Sequence, residues 1–332
     1  MVVIIDDSDQ SISLAVGVLR AGGIVAVPTE TVYGLAADAS EPAAVSKVFT
    51  AKGRPFAHPL IVHLGAGASL EDWAAHVPDD AFRLAAAFWP GPLSMVLPRH
   101  PSVSTVVTGG RDTVALRMPA HPVALRLLAA FGGGLAAPSA NRFGNVSPTT
   151  AADVRADLGD EVELIIDGGP CEIGVESTIV ELVGGRAGRQ AMVTILRAGA
   201  IGPEALAGVL GHAVGTTARG PARAPGMLAS HYAPRTPLEL WPENTEDGAA
   251  RRVANLVSSG ARVGALCLGR IEVPGAAVAW DAGGDAAVFA RSLYQWLRRA
   301  DAENLDILVV VLPPPEGISL AVRDRLRRAA TR

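Results

Sequence analysis

Apolar and polar positions along the first two hundred residues recur with the periods of short helices and short strands. Helical spacing of apolar residues, at three and four positions, marks the ranges 11–21, 41–51, 80–89, 121–131 and 149–158. Short apolar runs predict buried strands between and after them, at 24–27, 60–64, 93–97, 113–117, 135–137, 162–167, 177–182 and 193–197. Because the two kinds of element do not alternate strictly, the pattern predicts an α/β domain built on a mixed, twisted sheet.

The periodic pattern stops at about 211–237, a stretch rich in Gly, Pro, Ala and Thr, and then resumes. Strand-like and helix-like segments alternate from 238 onwards, which is typical of a smaller Rossmann-like parallel α/β domain. The sequence therefore predicts a first domain at 8–205, a linker at 206–237 and a C-terminal domain at 238–332. A connection of this length in a compact chain is usually functional or disordered.

Composition narrows the class of protein. The 332 residues are 49% hydrophobic and 19% charged, which suits one large or two smaller folded domains. No run of eighteen apolar residues occurs and the N-terminus lacks a basic segment, so neither a membrane span nor a signal peptide is expected. The two cysteines, Cys171 and Cys267, lack metal-ligand spacing and indicate free thiols in a reducing cytoplasm.

Lysine is rare in this chain. Only Lys47 and Lys52 occur, while the other basic residues are arginines, and the net charge of −4 argues against a strong non-specific grip on nucleic acid. Lys52 stands beside Gly53 and Arg54, so that two cations can approach one anion across a sharp turn. The alternative is a solvated basic helix end.

Small polar residues follow several of the predicted strands. Thr29 and Thr31 flank Glu30 after one strand, and the segment Pro138-Ser139-Ala140-Asn141 follows another. His63 and Arg117 each end an otherwise apolar strand. An arginine in that place usually pairs with a carboxylate, supplied by the protein or by a ligand.

The common nucleotide-binding and hydrolase motifs are missing from the sequence. Neither lysine lies in a P-loop, no G-x-G-x-x-G follows a strand, and no G-x-S-x-G or zinc-binding pattern occurs. A nucleotide would therefore be bound by a less common scaffold.

Taken together, the polar segments resemble the YrdC-like family, specifically its two-domain threonylcarbamoyl-AMP synthases. The matching segments keep the family's order over about residues 10–200 and read PTETVYGLAADA, AKGRPFAHPLIVH, FWPGPLSMVL, GGRDTVALRMPAHPVA, APSANRFGNVSPT, IIDGGPCEIGVESTIVEL and ILRAGAI. The segment APGMLASHYAPRTPL at 224–238 resembles the connector of the two-domain form, whereas the last domain resembles the family in size and pattern.

The resemblance implies a nucleotidyltransferase that joins L-threonine, bicarbonate or CO2, and ATP into L-threonylcarbamoyladenylate, with release of pyrophosphate. The product would serve formation of N6-threonylcarbamoyladenosine in tRNA by a downstream transferase complex. Mg2+ is expected as a partner of the ATP phosphates rather than in an all-protein cage. Binding of tRNA by this chain itself is expected to be weak.

The resemblance also implies site residues. The threonine pocket would comprise Thr31, His63, Arg117, Ser177 and the backbone around Ala137. The ATP contacts would be Arg54, His58, Thr113, Ser139, Ser147, Arg197 and Tyr232. Lys52 and Asn141 would join Arg54 and Ser139 as the catalytic set near the phosphates. His58 departs from the asparagine of many relatives, and Tyr232 lies in the linker, which is expected to fold over the site as a lid.

Two other functions stay open at this point. YrdC-like domains also occur in enzymes that make carbamoyl-adenylate from carbamoyl phosphate, but those chains usually carry additional modules that are not evident here. The third possible function is that of a non-catalytic RNA-binding protein. The net charge of −4 argues against it.

Overall fold

The computed structural model describes residues 2–185, 189–216 and 231–331, which divide into two compact units. The first unit holds most residues up to 216. The second holds the described residues from 231 onwards, together with Gly144–Val146 and Ile173–Val175. The predicted domain at 8–205 therefore contains two short segments that pack with the second unit.

The described part of the first unit has helices and strands with short connections. The helices are α1 (Asp9–Arg20), α2 (Pro42–Lys52), α3 (Asp79–Phe88), α4 (Thr105–Thr108), α5 (Pro122–Phe131), α6 (Ala151–Leu158) and α7 (Pro203–Leu210). The strands are β1 (Val3–Ile5), β2 (Val25–Val27), β3 (Gly34–Asp38), β4 (Ile61–His63), β5 (Leu93–Pro98), β6 (Thr113–Arg117), β7 (Leu135–Ala136), β8 (Leu164–Ile166), β9 (Thr178–Gly184), β10 (Ala191–Arg197) and β11 (Gly215–Thr216).

These strands form one mixed sheet in the order β1-β8-β2-β3-β7-β4-β6-β5-β9-β10-β11. Strand β4 runs parallel to β6, and β5 runs parallel to β9, while β5 and β6 are antiparallel. The prediction of a mixed α/β sheet is confirmed.

Helices cover both faces of this sheet because successive side chains of a strand point to opposite sides. In β2, Val25 and Val27 pack with α1 and α5, whereas Ala26 belongs to the larger core on the other face. Helix α2 shows how the sequence sets one boundary. Its first residue is Pro42, and it ends where Gly53 adopts the left-handed conformation at φ 63°.

The second unit is a smaller layered domain. Its strands are β12 (Leu238–Trp241), β13 (Val263–Cys267), β14 (Val278–Asp281) and β15 (Ile307–Val311), and its helices are α8 (Glu246–Ser258), α9 (Ala286–Ala302) and α10 (Ser319–Ala330). The four strands are all parallel, in the order β12-β15-β13-β14. This agrees with the predicted Rossmann-like domain.

The predicted linker differs from the structure at its start. Helix α7 (Pro203–Leu210) occupies the first residues of the range 206–237, where sequence periodicity indicated no element. The helix is short and carries Gly208 in its interior, so its helical signature in the sequence is weak, and packing against α3 stabilises it instead. Residues 217–230 of that linker lie outside the described residues. No helix in the described ranges is long and apolar enough to cross a membrane.

Gly134 allows β7 to pack closely against its neighbours, which predicts a sensitivity to a single methyl group. A Cβ atom at Gly134 would lie 2.3 Å from the Trp73 ring and 2.8 Å from Val62. We expect Gly134→Ala to lower the free energy of unfolding by about 1–3 kcal/mol through overpacking. Urea unfolding measures the change. Gly17→Ala on the exposed side of α1, where a Cβ meets nothing within 4 Å, should instead raise stability by about 0.5–1 kcal/mol. Equal effects of the two variants would contradict this packing.

Candidate active site

One face of the central sheet carries several of the predicted site residues. The residues Ile61, Val96, Ala115, Ile179 and Leu196 form a small apolar cluster on that face. By strand alternation, the side chains two positions away share the face, which places His63 beside Ile61 and Arg117 beside Ala115. His63 and Arg117 are also direct partners in the pairing of β4 with β6. The sheet therefore brings the two together.

Arg117 is held by partners from two segments, the loop with Glu30 and Thr31 and the loop with Gly91. Its Nη2 donates to Glu30 Oε1 at 2.5 Å and to Thr31 Oγ1 at 3.0 Å, and its Nε donates to the Gly91 carbonyl at 3.3 Å. The other carboxylate oxygen of Glu30 accepts the backbone N–H of Ala120 at 3.0 Å. Arg117 is 4% exposed and Glu30 is 5% exposed. The carboxylate that this arginine needs is thus supplied by the protein.

The buried ion pair of Arg117 and Glu30 affects the pKa values of Glu30 and of the neighbouring His63. Burial by itself would raise the pKa of Glu30, but the charge and hydrogen bond of Arg117, together with backbone hydrogen bonds, outweigh burial and hold that pKa below its usual value. Burial, and next the charge of Arg117, lower the pKa of His63 to about 3. His63 is therefore a neutral imidazole near pH 7, suited to hydrogen bonding rather than to carrying charge.

A second buried network surrounds Ser177. Its hydroxyl lies 2.8 Å from the Ser94 hydroxyl and accepts from Arg197 Nη2 at 2.9 Å. Arg197 Nε also donates to the Ser177 carbonyl at 3.1 Å. The structure therefore joins Ser177 and Arg197, which the family resemblance assigned to the two different substrates.

The loop Gly91-Pro92 connects the two networks. The Gly91 carbonyl accepts from Arg117, and the Pro92 carbonyl accepts the backbone N–H of Thr178 at 2.9 Å. Ser177 and Arg117 consequently flank one short loop.

The segment that follows β7 forms the next part of the site. The ammonium of Lys52, which is 2% exposed, donates to the carbonyls of Ser139 and Asn141. Ser139 is bridged to Gly34, and the Ala140 N–H donates to the Tyr33 carbonyl at 2.8 Å. Through Tyr33 and Gly34 this segment is continuous with Thr31 and the Arg117 network.

Arg54 and His58 lie near the same segment. Arg54 Nη2 donates to the Pro59 carbonyl at 3.0 Å, and its guanidinium stands 5.6 Å from the centre of the Phe143 ring. The His58 ring packs edge-on against Phe143. Burial, followed by the charges of Arg54 and Arg111, lowers the pKa of His58.

Thr113 occupies the other end of its strand. It begins β6 and Arg117 ends it, so the two lie about 13 Å apart at the usual strand rise. Both project from one face, but Thr113 is not part of the Arg117 network. Any contact of Thr113 with a ligand would therefore involve a distant portion of that ligand.

Two further predicted residues have clear surroundings. The Ser147 hydroxyl donates to the buried carboxylate of Glu176 at 2.6 Å. Tyr232 belongs to the second unit, where its ring stacks on Tyr294, contacts His231 edge-on and lies 5.2 Å from the Arg325 guanidinium. Its predicted contact with ATP stays a prediction.

A small cavity opens beside the Arg117 network. Its volume is about 20 Å3, room for about one methyl group or water, and its lining includes Thr29, His63, Pro119 and Ala137. The N–H of Ala137 donates to the Ile61 carbonyl at 3.0 Å. The backbone around Ala137 is thus fixed at the rim of an apolar recess beside a neutral histidine.

Three buried residues of these networks were missed by the sequence reasoning, namely Glu30, Ser94 and Glu176. Glu30 had a usable signal, because it stands between two threonines and Arg117 needed a carboxylate. Glu176 stands next to Ser177 in a matched segment. Ser94 lies within an apolar strand and gave no signal.

Comparison with known proteins identifies the class. A family model described as "Telomere recombination" matches residues 17–199, and a model for the C-terminal domain of threonylcarbamoyl-AMP synthase matches residues 201–331. A threonylcarbamoyl-AMP synthase of Pyrococcus abyssi is 40% identical over 96% of this chain and 94% of its own length. The corresponding Bacillus subtilis protein is 38% identical over 97% and 94%.

A solved structure is similar throughout. The crystal structure of Pyrococcus abyssi Sua5 complexed with L-threonine superposes with a TM-score of 0.90 at 37% identity, covering 99% of this chain and 97% of that one. The chain belongs to the threonylcarbamoyl-AMP synthase family. The resemblance seen in its sequence motifs is confirmed.

The buried neutral His63 predicts a specific pH dependence of stability. The pKa of His63 falls from 6.5 to about 3 on folding, so below pH 6.5 the unfolded chain binds a proton that the folded chain does not. Its contribution to stability is therefore complete above pH 6.5 and lost as the pH falls toward 3. We expect His63→Gln to remove about 2 kcal/mol of the stability loss between pH 6 and pH 4, measured by urea unfolding. Parallel curves for the two proteins would contradict a neutral buried His63.

Gly199 predicts a way to disturb Ser177 without touching it. A Cβ at Gly199 would lie 2.2 Å from the Thr178 nitrogen and 2.5 Å from the Ser177 carbonyl carbon. We expect Gly199→Ala to push this backbone away and weaken threonine binding about tenfold or more, as judged by calorimetry. Gly208→Ala in α7, where a Cβ meets nothing within 4 Å, is the matched control. Unchanged threonine binding in both variants would show that the position of the Ser177 backbone does not matter for threonine binding.

Proposed function

We propose that this chain forms L-threonylcarbamoyladenylate and pyrophosphate from L-threonine, bicarbonate or CO2, and ATP. The observation that carries the proposal is a buried arginine held in place by Glu30 in a chain related over its length to threonylcarbamoyl-AMP synthases. Related proteins bear that name, and one of them is complexed with L-threonine.

Arg117 is the proposed partner of the threonine carboxylate. Its Nη2 and Nε have protein acceptors, whereas no hydrogen bond from Nη1 to a described residue is present. A carboxylate at Nη1 would gain a charge-assisted hydrogen bond in a buried setting, where such bonds are strong. Thr31 and Ser177 supply hydroxyls nearby, and neutral His63 can hydrogen-bond a polar substrate group without repelling a cation.

The recess beside His63 supports a small branched amino acid. It offers room for about one methyl group between Pro119 and Ala137. Threonine combines a methyl group with a hydroxyl on one carbon, which suits an apolar recess edged by a histidine. Because hydrophobic recesses discriminate modestly, the hydrogen-bonding groups would carry most of the selectivity.

The chemical steps make limited demands on the protein. The threonine amine attacks CO2 and loses a proton to give a carbamate, whose oxygen attacks the α-phosphorus of ATP as pyrophosphate leaves; starting from bicarbonate, one water is also released. Positioning and neutralisation of charge should supply most of the rate. The cations Lys52, Arg54 and Arg197 are the proposed source of that neutralisation, with Ser139, Asn141, Ser147 and His58 around them.

Mg2+ is proposed to enter bound to the ATP phosphates, where it would neutralise charge on the leaving pyrophosphate. The described residues contain no group of three His, Cys, Asp or Glu side chains arranged for a metal ion. The proposal has three further parts. Bicarbonate is the carbon source, and the product passes to a tRNA-modifying transferase complex. The segment around Tyr232 closes over the site.

Of the three functions that the sequence left open, the full-length relatives favour the synthase. Carbamoyl transfer would require carbamoyl phosphate as a substrate. An RNA-binding role without catalysis would give a salt-dependent complex with tRNA and no turnover of ATP. Each alternative has its own readout in the assay that follows.

We expect the purified protein to release pyrophosphate from ATP and Mg2+ only when threonine and bicarbonate are both present. The double variant Arg117→Ala with Glu30→Gln removes the guanidinium without leaving a buried carboxylate unpaired. Its threonine-dependent rate should fall about 100-fold or more, because the threonine carboxylate would lose its guanidinium, and loss of one partner of a buried charge pair costs about 2–5 kcal/mol. Pyrophosphate release is measured with a coupled assay, and the adenylate by mass spectrometry.

Arg126→Ala is the matched control, since Arg126 pairs with Asp7 and Asp9 at the surface of the same unit. It should keep the full rate. Pyrophosphate release that does not depend on threonine would reject the proposal, and release that requires carbamoyl phosphate would favour the carbamoyltransferase. A salt-dependent tRNA complex without any release would favour the RNA-binding role.

A further inference from the structure

Lys52 makes three hydrogen bonds to alternate residues of one segment. Its ammonium donates to the carbonyls of Ser139 and Asn141, and its own backbone carbonyl accepts the N–H of Phe143 at 2.8 Å. A single residue at the end of α2 therefore matches positions 139, 141 and 143 in register. Lys52 therefore contacts the backbone of this segment at every second residue.

The opposite side of the segment is fixed by β3. Ser139 is bridged to Gly34, the Ala140 N–H donates to the Tyr33 carbonyl at 2.8 Å, and the Leu35 N–H donates to the Pro138 carbonyl at 2.7 Å. The segment Pro138–Asn141 thus lies between β3 and Lys52. Without the ammonium, the carbonyls of Ser139 and Asn141 would lose the hydrogen-bond donor that Lys52 supplies in a buried place.

The surroundings of Lys52 suit hydrogen bonding to the protein as well as to an anion. An ammonium has three N–H groups, and among the described residues the two carbonyls are the acceptors it uses. One N–H direction is therefore left. Burial, and next the charge of Arg54, lower the pKa of Lys52. The two carbonyls replace part of the hydration that a buried ammonium loses.

We propose that Lys52 is a positioning residue, which sets the conformation of the Pro138–Asn141 segment before any ligand binds. Its effect on threonine and ATP passes through that segment. Contact with a phosphate through the remaining N–H would be an addition to this role. The inference concerns the ligand-free protein, and only its consequence for catalysis rests on the proposed function.

The choice of lysine supports this role in a chain that has one other lysine, the exposed Lys47, and otherwise uses arginine for its basic side chains. A compact ammonium can lie between two carbonyls of residues 139 and 141. A planar guanidinium is larger and matches the paired oxygens of a carboxylate or phosphate instead. A purely electrostatic contact with phosphate would be served by either residue.

The test compares Lys52→Met, Lys52→Arg and the matched control Lys47→Met, which changes the other lysine, exposed on the same helix. Labelling with 15N-asparagine gives signals from Asn141 and four other asparagines. In the absence of ligands we expect both Lys52 variants to shift the backbone amide signal of Asn141 and to speed its hydrogen exchange about tenfold or more. Lys47→Met should leave that signal unchanged.

An Asn141 signal that is unchanged in both Lys52 variants would overturn the proposal and leave Lys52 as a direct ligand contact. If the Lys52 variants do not fold, labelling of the unaltered protein still tests the proposal. With 15N,13C-lysine the chain gives two side-chain signals, and the proposal predicts an ordered Lys52 side chain without ligands, in contrast to Lys47. A Lys52 side chain as mobile as that of Lys47 would equally overturn it.

Binding of threonine alone separates this inference from the proposed function. Because the segment adjoins Ala137 and Gly34, we expect Lys52→Met to weaken threonine binding about tenfold in the absence of ATP, and Lys52→Arg not to restore it. A residue that contacts only phosphate would leave threonine affinity unchanged, which would contradict the proposal. Failure of the unaltered protein to bind threonine would count against the proposed function, while the Asn141 signal would still test Lys52.

Discussion

A positive charge buried at the end of β6 is the constraint on which the site depends. A guanidinium removed from water must be paired, and Arg117 meets that requirement with Glu30 from the loop after β2. This pair ties the loop 28–33 to the sheet face that carries His63 and Ser177. The pair is neutral as a whole, and among the described residues Nη1 has no acceptor, which is why we propose it as the partner of a substrate carboxylate. Burial beside Arg117 also keeps His63 uncharged.

The rest of the site is an assembly of short segments held by backbone groups. Carbonyls of Gly91 and Pro92 join Arg117 to Thr178, and the contacts of Tyr33 and Gly34 join Thr31 to the segment after β7. Lys52 closes that segment from the other side. Since most of these contacts use main-chain atoms, the geometry depends on where the strands end. Such preorganisation is what a reaction between two bound substrates needs from a protein.

Sequence reasoning predicted the mixed sheet and the parallel second domain, because strand length and apolar pattern are local properties. It identified Arg117 as an arginine that needs a carboxylate, but not its partner Glu30, which lies 87 residues away and meets it only through the order of the strands. For Lys52 the pattern indicated an anion site, whereas the structure shows carbonyl acceptors. Thr113 came from motif resemblance, and it lies at the opposite end of β6 from Arg117, as the predicted strand at 113–117 implies.

The central claim is that Arg117, fixed by Glu30, recognises a carboxylate next to an apolar recess. Calorimetric titration with L-threonine and with L-threoninamide tests it most directly, because the two ligands differ only in the group that would meet the guanidinium. We expect threonine to bind and the amide to bind at least about tenfold more weakly. Equal affinities for the two ligands would contradict it.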